Sequence, residues 1–233
     1  MPAVEGRPLA TTREGRPIIW RRHGPASTAP ILVVGGVHGD EPASVDATRA
    51  LDTWLEAHAP ERTILVVPAL NLDGLARRTK DNAGGIDLNR NFASENWAAE
   101  HPPGYAPGLA PLSEPETAGL SRFIEEEGVG AVVAVHAPFA CVNFDGPAEA
   151  WAARVASASG WPVQASIGYP TPGSLGSWFG GDRGRPILTL ELPPGPYTSF
   201  RAAADAALRS AVTDAPWGGG PRPDEEAARK SGG

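Results

Sequence analysis

The chain has a single cysteine, Cys141, which leaves no partner for an internal disulfide and excludes a structural zinc site built from thiolates. No apolar stretch is long enough to cross a bilayer, and the opening residues MPAVEGRPLATTREGRP lack the apolar segment of an export signal. Cytoplasmic residence is therefore the expectation. Basic charge is also in short supply: 20 Lys and Arg stand against 27 Asp and Glu, giving a net charge of −7 and a pI near 5.3. That balance supplies none of the attraction that nucleic acids or anionic membranes require, and it points to a small-molecule or peptide substrate. At 233 residues and 41% hydrophobic content, the chain can bury one sizeable core. One domain is expected over residues 1–215, with residues 216–233 forming a tail of disordered composition.

The most informative stretch is ILVVGGVHGDEPAS. The apolar run Ile31 to Val34 meets Gly35 and Gly36, which permit a sharp turn that releases His38 and Glu41 together. An H-x-x-E pair placed this way can offer two ligands to one metal. Catalytic zinc generally uses three protein ligands and keeps a fourth position open, so another ligand is needed downstream. Among the five histidines, His23 and His101 lie in polar stretches with Pro and Gly, and His58 lies beside Pro60. Only His38 and His136 follow apolar strands, and the carboxyl ends of strands in an open α/β sheet face one crevice. His136, which ends AVVAVH, is the expected third ligand.

Strand and helix signals alternate along the chain, which predicts an α/β domain. Residues 42–57 read as an amphipathic helix with Val45, Leu51, Trp54 and Leu55 inward and Asp46, Arg49 and Asp52 outward. A strand is expected over 64–70 and another over 131–135. Residues 71–112 form a long, Gly- and Pro-rich connection of the kind that carries function. Ser113 and Glu116 have the spacing of a capping box, with Pro115 in the first turn of a helix reaching about residue 127. Helices are expected again over 147–159 and 200–212. In the strand ILTLEL, Ile187, Thr189 and Glu191 share one face, and a carboxylate in so apolar a run requires a partner or a task.

HGDE, NLDG at 71–74, GIDLNRNF at 85–92, His136, YPTPGSLGSW at 169–178 and TLEL around Glu191 occur in the order of the zinc metallocarboxypeptidase superfamily, which the chain resembles from about residue 31 to 193. GGIDLNRNF followed by ENW, SEPET, and the GYPTPGSLGSW segment are most similar to a branch of amidases acting on cell-wall peptides. The resemblance implies a single-domain fold with a mixed, mostly parallel twisted sheet flanked by helices. It also implies one Zn2+ ion held by His38, Glu41 and His136, the His2Glu set. Asp87 matches an outer carboxylate that orients the first histidine. Asn89 and Arg90 match the pair that grips the free carboxylate of the released residue. Tyr169 matches a substrate-contacting tyrosine, and Glu191 the general base of a water-mediated amide hydrolysis. Where many members carry an arginine that stabilises the oxyanion, this chain has Lys80, with Arg77 and Arg78 as alternatives.

The implied substrate is a murein tripeptide bearing a γ-D-glutamyl to meso-diaminopimelate bond, met during cell-wall recycling. Asp40, Ser177, Asp182 and Arg183 flank the matched blocks and are candidates to read diaminopimelate. Cys141 is expected to pack rather than react, as are Trp151, Trp161 and Trp178. Two other functions fit parts of the pattern. A zinc deacylase of N-acyl amino acids shares the H-x-x-E and D-L-N-R elements, but NLDG and PGSLGSW favour the carboxypeptidase side. A zinc-binding protein without catalysis has no use for Glu191.

Overall fold

Short runs of Ile, Leu, Val and Ala supply the centre of a seven-stranded sheet in the computed structural model, which describes residues 8–216. β1 (Ala10–Thr11) and β2 (Pro17–Ile18) form a separate small hairpin. The main sheet holds β3 (Arg21–His23), β4 (Ile31–Val34), β5 (Ile64–Val67), β6 (Ala131–His136), β7 (Cys141–Asp145), β8 (Val163–Gln164) and β9 (Ile187–Glu191). Their order is β3-β5-β4-β6-β9-β7-β8. The four central strands β5, β4, β6 and β9 are parallel, whereas β3 and β7 run antiparallel to β5 and β9. This is the mixed, mostly parallel sheet that the resemblance implies. Every residue of β4, β5 and β6 is buried, because helices and loops cover both faces and the strands need no alternation.

Alternate residues of each strand feed two cores. Ile31, Val33, Leu188 and Leu190 pack with α1 (Pro42–Ala57), α4 (Glu149–Ser159) and α5 (Arg201–Thr213). Leu32, Val34, Val132 and Ile187 face the other way, onto α3 (Pro115–Glu126), Leu9, Ile18 and Trp178. α2 (Leu72–Arg77) and a 3-10 turn at Leu88–Arg90 lie within the long connection, so that segment has structure of its own. Asn91 anchors it further, donating through Nδ2 to the carbonyls of Pro107 (2.7 Å) and Ala110 (3.0 Å).

Several expectations need correction. The second strand stops at Val67 rather than Leu70, because Pro68 has no N–H to extend the ladder. No capping box forms: α3 takes Glu114 as its N-cap, and Glu116 is buried beside the Asn82 amide instead of reaching back to Ser113. Asp52, expected outward, is 5% exposed and pairs with His23 Nε2 at 2.7 Å, so a strand too polar to recognise brings its histidine under α1. Trp54 is only partly buried. β1, β2, β3 and β7 have no continuous apolar run to mark them. Trp151, Trp178 and Cys141 are buried, and Trp161 packs partly buried against the core. Among the described residues no helix is long and apolar enough to cross a membrane. The expected tail beyond Pro216 lies outside the described residues.

Candidate metal centre

Two glycine crossings aim the HGDE loop. A Cβ on Gly35 would lie 2.5 Å from Thr48 Oγ1 and 2.8 Å from the Ser44 carbonyl, so α1 can sit directly on the strand exit. Gly39 is tighter still, since its Cβ would stand 2.0 Å from the carbonyl carbon of Gly74. Here the NLDG block has a mechanical meaning. Asn71 Oδ1 accepts from Gly74 N at 2.8 Å, and Asn71 Nδ2 donates to the Lys80 carbonyl at 3.1 Å; that same carbonyl accepts from Gly39 N at 3.2 Å. Gly39→Ala must therefore push two backbones apart between His38 and Glu41. A loss of about 1–3 kcal/mol or more in unfolding free energy is expected, accompanied by weaker metal retention, both readable by denaturation and elemental analysis.

β4 ends three residues before the loop that bears His38 and Glu41, β6 ends on His136 and β9 ends on Glu191, so adjacent parallel strands deliver all four groups to one carboxyl edge. One ligand atom from each of His38, Glu41 and His136 lies within 4.8 Å of the others. Glu41 bridges the two imidazoles, with Oε1 2.7 Å from His38 Nδ1 and Oε2 3.2 Å from His136 Nδ1. Burial opposes charge on both partners. Even so, hydrogen bonds to Asp87 and Glu41 hold His38 up at about 10, and the neighbouring imidazoles hold Glu41 down at about 2. A centre so strongly biased towards positive charge beside a carboxylate suits a cation. Two imidazole nitrogens and one carboxylate are the donors zinc accepts in catalytic sites, and the three converge from one side, leaving room for a fourth ligand.

Behind this centre, Asp87 Oδ1 meets His38 Nε2 at 3.1 Å while Asp87 Oδ2 lies 2.7 Å from Lys80 Nζ. The outer nitrogen of His38 is thereby committed, leaving Nδ1 for the metal side. Asp87 also caps the 3-10 turn by accepting from Asn89 N at 2.9 Å. Lys80 additionally donates to the Gly104 carbonyl and lies 3.9 Å from the Tyr105 ring centroid. Its ammonium supports Asp87 and does not line the cavity described next. Arg77 pairs with Glu14 and donates to the Ala83 carbonyl, and Arg78 terminates α2 in a left-handed conformation. Neither lines that cavity.

Glu191 is 5% exposed, and its Oε2 has no hydrogen-bond partner among the described residues. Burial pushes its carboxyl above the ordinary range, which makes it a better proton acceptor. Together with His136, Asn89 and Tyr169 it lines a cavity of about 160 Å³. Asn89 is fixed there by accepting from Leu175 N at 3.0 Å, which ties the DLNRNF block to the PGSLGSW block. Arg90 is buried, donates to the Asn89 carbonyl at 2.6 Å, and lines a second cavity of about 350 Å³ with Tyr105 and Tyr169. Tyr169, 38% exposed, forms a wall common to both. Cys141, directly opposite Glu191 in the sheet, is pushed up to about 11 by burial and by that carboxylate. Alkylation of the native zinc-loaded protein with iodoacetamide at pH 8 is therefore expected to be at least about a hundredfold slower than after unfolding.

None of Asp40, Ser177, Asp182 and Arg183 lines the cavity. Asp40 is exposed, Ser177 donates to the Thr171 carbonyl, Asp182 accepts from Glu95 N, and Arg183 pairs with Glu125 over the Trp178 ring. They follow the matched blocks in sequence but turn outward or into neighbouring turns. Among the polar residues that do line it are Thr189, Asn143 and Asp145 from β9 and β7, with Ser166, Thr171 and Ser174 opposite in the chain segment that follows. The alternation of CVNFD, with polar side chains at every second position, was the available signal.

A zinc carboxypeptidase family model matches residues 3–147. Murein peptide amidase A of Escherichia coli K12 is 36% identical over 198 residues, covering 77% of this chain and 78% of its own, and that of Vibrio campbellii is 31% identical over 77% and 76%. The crystal structure of the murein-tripeptide amidase from E. coli O157 superposes with a TM-score of 0.75 at 30% identity, covering 91% of each chain. Bovine thrombin-activatable fibrinolysis inhibitor, at 17% identity, gives a TM-score of 0.77 over 91% of this chain and 88% of its own, a likeness of fold. With the His-Glu-His cluster at the carboxyl edge of the sheet, these similarities identify the chain as a metallopeptidase-type hydrolase that belongs to the zinc carboxypeptidase family.

Proposed function

We propose that this protein hydrolyses the γ-D-glutamyl to meso-diaminopimelate bond of murein peptides, in the recycling of cell-wall fragments in the cytoplasm. The observation that carries the reading is the joint lining of one cavity by Glu191, His136 and Asn89, in a chain 36% identical to a murein peptide amidase over most of its length. A metal centre at one end and an amide that can bind a carboxylate nearby suit a peptide with a free terminal carboxylate.

His38, Glu41 and His136 would hold the zinc ion, which when bound would supply Lewis acidity to water and to a carbonyl. Glu191 takes a proton from the attacking water and returns it to the leaving amine. Asn89 and Arg90 orient the carboxylate of the released residue, and Tyr169 closes on it from the shared wall. Asp87 fixes the His38 tautomer, and Lys80 acts through Asp87.

Incubating the zinc-loaded protein with L-Ala-γ-D-Glu-meso-diaminopimelate beside N-acetyl and N-succinyl amino acids, with products identified by mass spectrometry, tests the reading. Release of diaminopimelate is expected. Turnover confined to the acyl substrates would instead identify a deacylase, and loaded protein that turns over neither set would be a binding protein. Recovery of the protein with the cytoplasmic fraction of its native cells is expected as well.

A further inference from the structure

The SEPET block lies away from the cavity, yet its two carboxylates close on one side chain near the metal centre. Asn82, 3% exposed, donates through Nδ2 to Glu114 Oε2 at 2.7 Å and to Glu116 Oε2 at 3.3 Å. Its Oδ1 faces the other way and accepts from Gly84 N at 2.9 Å and Ile86 N at 3.1 Å, the local bonding to which asparagine is suited in turns. The main chain of Asn82 closes the same turn, its N–H donating to the Ile86 carbonyl and its carbonyl accepting from Gly85 N, both at 3.0 Å. Asn82 thus shapes residues 82–86, and Asp87 is the next residue along the chain. Any shift of this turn moves Asp87 relative to His38 Nε2, which it meets at 3.1 Å.

The acids that grip Asn82 are held in turn. Arg13, in the loop of the β1–β2 hairpin, donates from Nε to Glu114 Oε2 at 2.6 Å and from Nη2 to Glu114 Oε1 at 2.9 Å. It also packs on the turn itself: a Cβ on Gly84 would lie 2.8 Å from Arg13 Nε and 3.2 Å from Asn82 Oδ1. The hairpin is pinned to the NLDG block as well, because Thr12 Oγ1 donates to Asp73 at 2.8 Å and Arg16 pairs with the same carboxylate. Glu116 is fully buried, and its Oε1 has no hydrogen-bond partner among the described residues, so this carboxyl group is kept at a cost and needs a task. We propose that Asn82 is a positioning residue of the metal centre: held by Glu114 and Glu116, it fixes the turn that presents Asp87 to His38. Asn82 does not line the cavity and acts through Asp87. The inference deepens the reading of His38, Glu41 and His136 as zinc ligands and rests on it.

Chelator competition on the zinc-loaded protein tests the proposal through a double-mutant cycle. Asn82→Ala is expected to weaken zinc binding on the order of three- to tenfold, less than the about 10- to 100-fold expected of Asp87→Ala. In an Asp87→Ala background the same substitution should change affinity by less than about twofold, because the group it positions is gone. A general weakening of the fold would persist in that background, so equal losses in both backgrounds overturn the proposal, as does unchanged affinity in Asn82→Ala. Proton NMR gives a second readout. The His38 Nε2–H resonance, hydrogen-bonded to Asp87, should be lost to exchange with water in Asn82→Ala, while that of His23 against Asp52 is retained. Loss of both resonances, or retention of both, overturns the proposal. Should Asn82→Ala not fold, the nearly isosteric Asn82→Asp replaces it: an oxygen then faces Glu114 and Glu116 in place of the N–H2, and the loss should again vanish with Asp87. The added negative charge acts on a bound cation in the opposite direction and does not imitate that loss. Wild-type zinc affinity in Asp87→Ala would overturn the ligand reading together with the proposal, whereas a clear effect of Asp87→Ala with none from position 82 would overturn the proposal alone.

Discussion

Glu191→Gln is expected to keep a full complement of zinc and to lose on the order of a hundredfold or more in kcat, the scale of removing a positioned general base. The amide is nearly the same size, and the 5% exposure of this side chain means that its packing is retained. Glu191 is outside the His38, Glu41 and His136 cluster, so the ligand set is untouched. What disappears is the proton acceptor, whose Oε2 has no competing partner. KM should change far less than kcat. Elemental analysis beside steady-state kinetics on the tripeptide provides the check, and near-normal turnover in a metal-loaded variant would remove Glu191 from the reaction.

His136→Ala is expected to fail at an earlier step. It deletes one of three donors and also leaves Glu41 Oε2 with only the Ala137 N–H at 3.2 Å. Loss of an outer partner to a metal ligand typically reduces affinity about 10- to 100-fold, and loss of a ligand itself should exceed that. Asp87→Ala, which frees the outer nitrogen of His38, supplies the comparison and should fall within the outer-partner range. Competition with a chelator measures all three proteins on one scale. Should His136→Ala bind zinc as tightly as Asp87→Ala, the assignment of His136 as a ligand would be wrong.

The central sheet was legible because β4, β6 and β9 are buried on both faces and spell out continuous apolar runs. Those strands end at the chemical groups, so reading them was enough to place His38, His136 and Glu191 on one edge. β7 was not legible for the converse reason. Its one face is core, through Val142 and Phe144, while Cys141, Asn143 and Asp145 face the cavity side, so the alternation in CVNFD rests on two apolar residues in five and marks no continuous run. Asp40, Ser177, Asp182 and Arg183 adjoin the matched motifs in sequence, whereas the cavity wall lies across the sheet from ILTLEL. His23 and Asp52 were missed similarly: each looks solvated in its own segment, and only the pairing of β3 with β5 under α1 brings them together. The position of Lys80 along the chain does not reveal its ion pair with Asp87, which depends on how the long connection returns past α2.

Gly39 against Gly74, and Gly173 with its Cβ position 2.2 Å from the Arg90 carbonyl oxygen, are points where main chain touches main chain. Such junctions have no side chain to exchange, so neither can be retuned by substitution; each is kept whole or lost. The rows of residues projecting from β7 and β9 carry no such restriction. An engineer wishing to reshape the cavity beside the metal cluster should therefore work on the ribbon of positions 143, 145 and 189 and leave the surrounding clasp of loops alone, since those side chains can be exchanged without parting the backbones that aim the cluster.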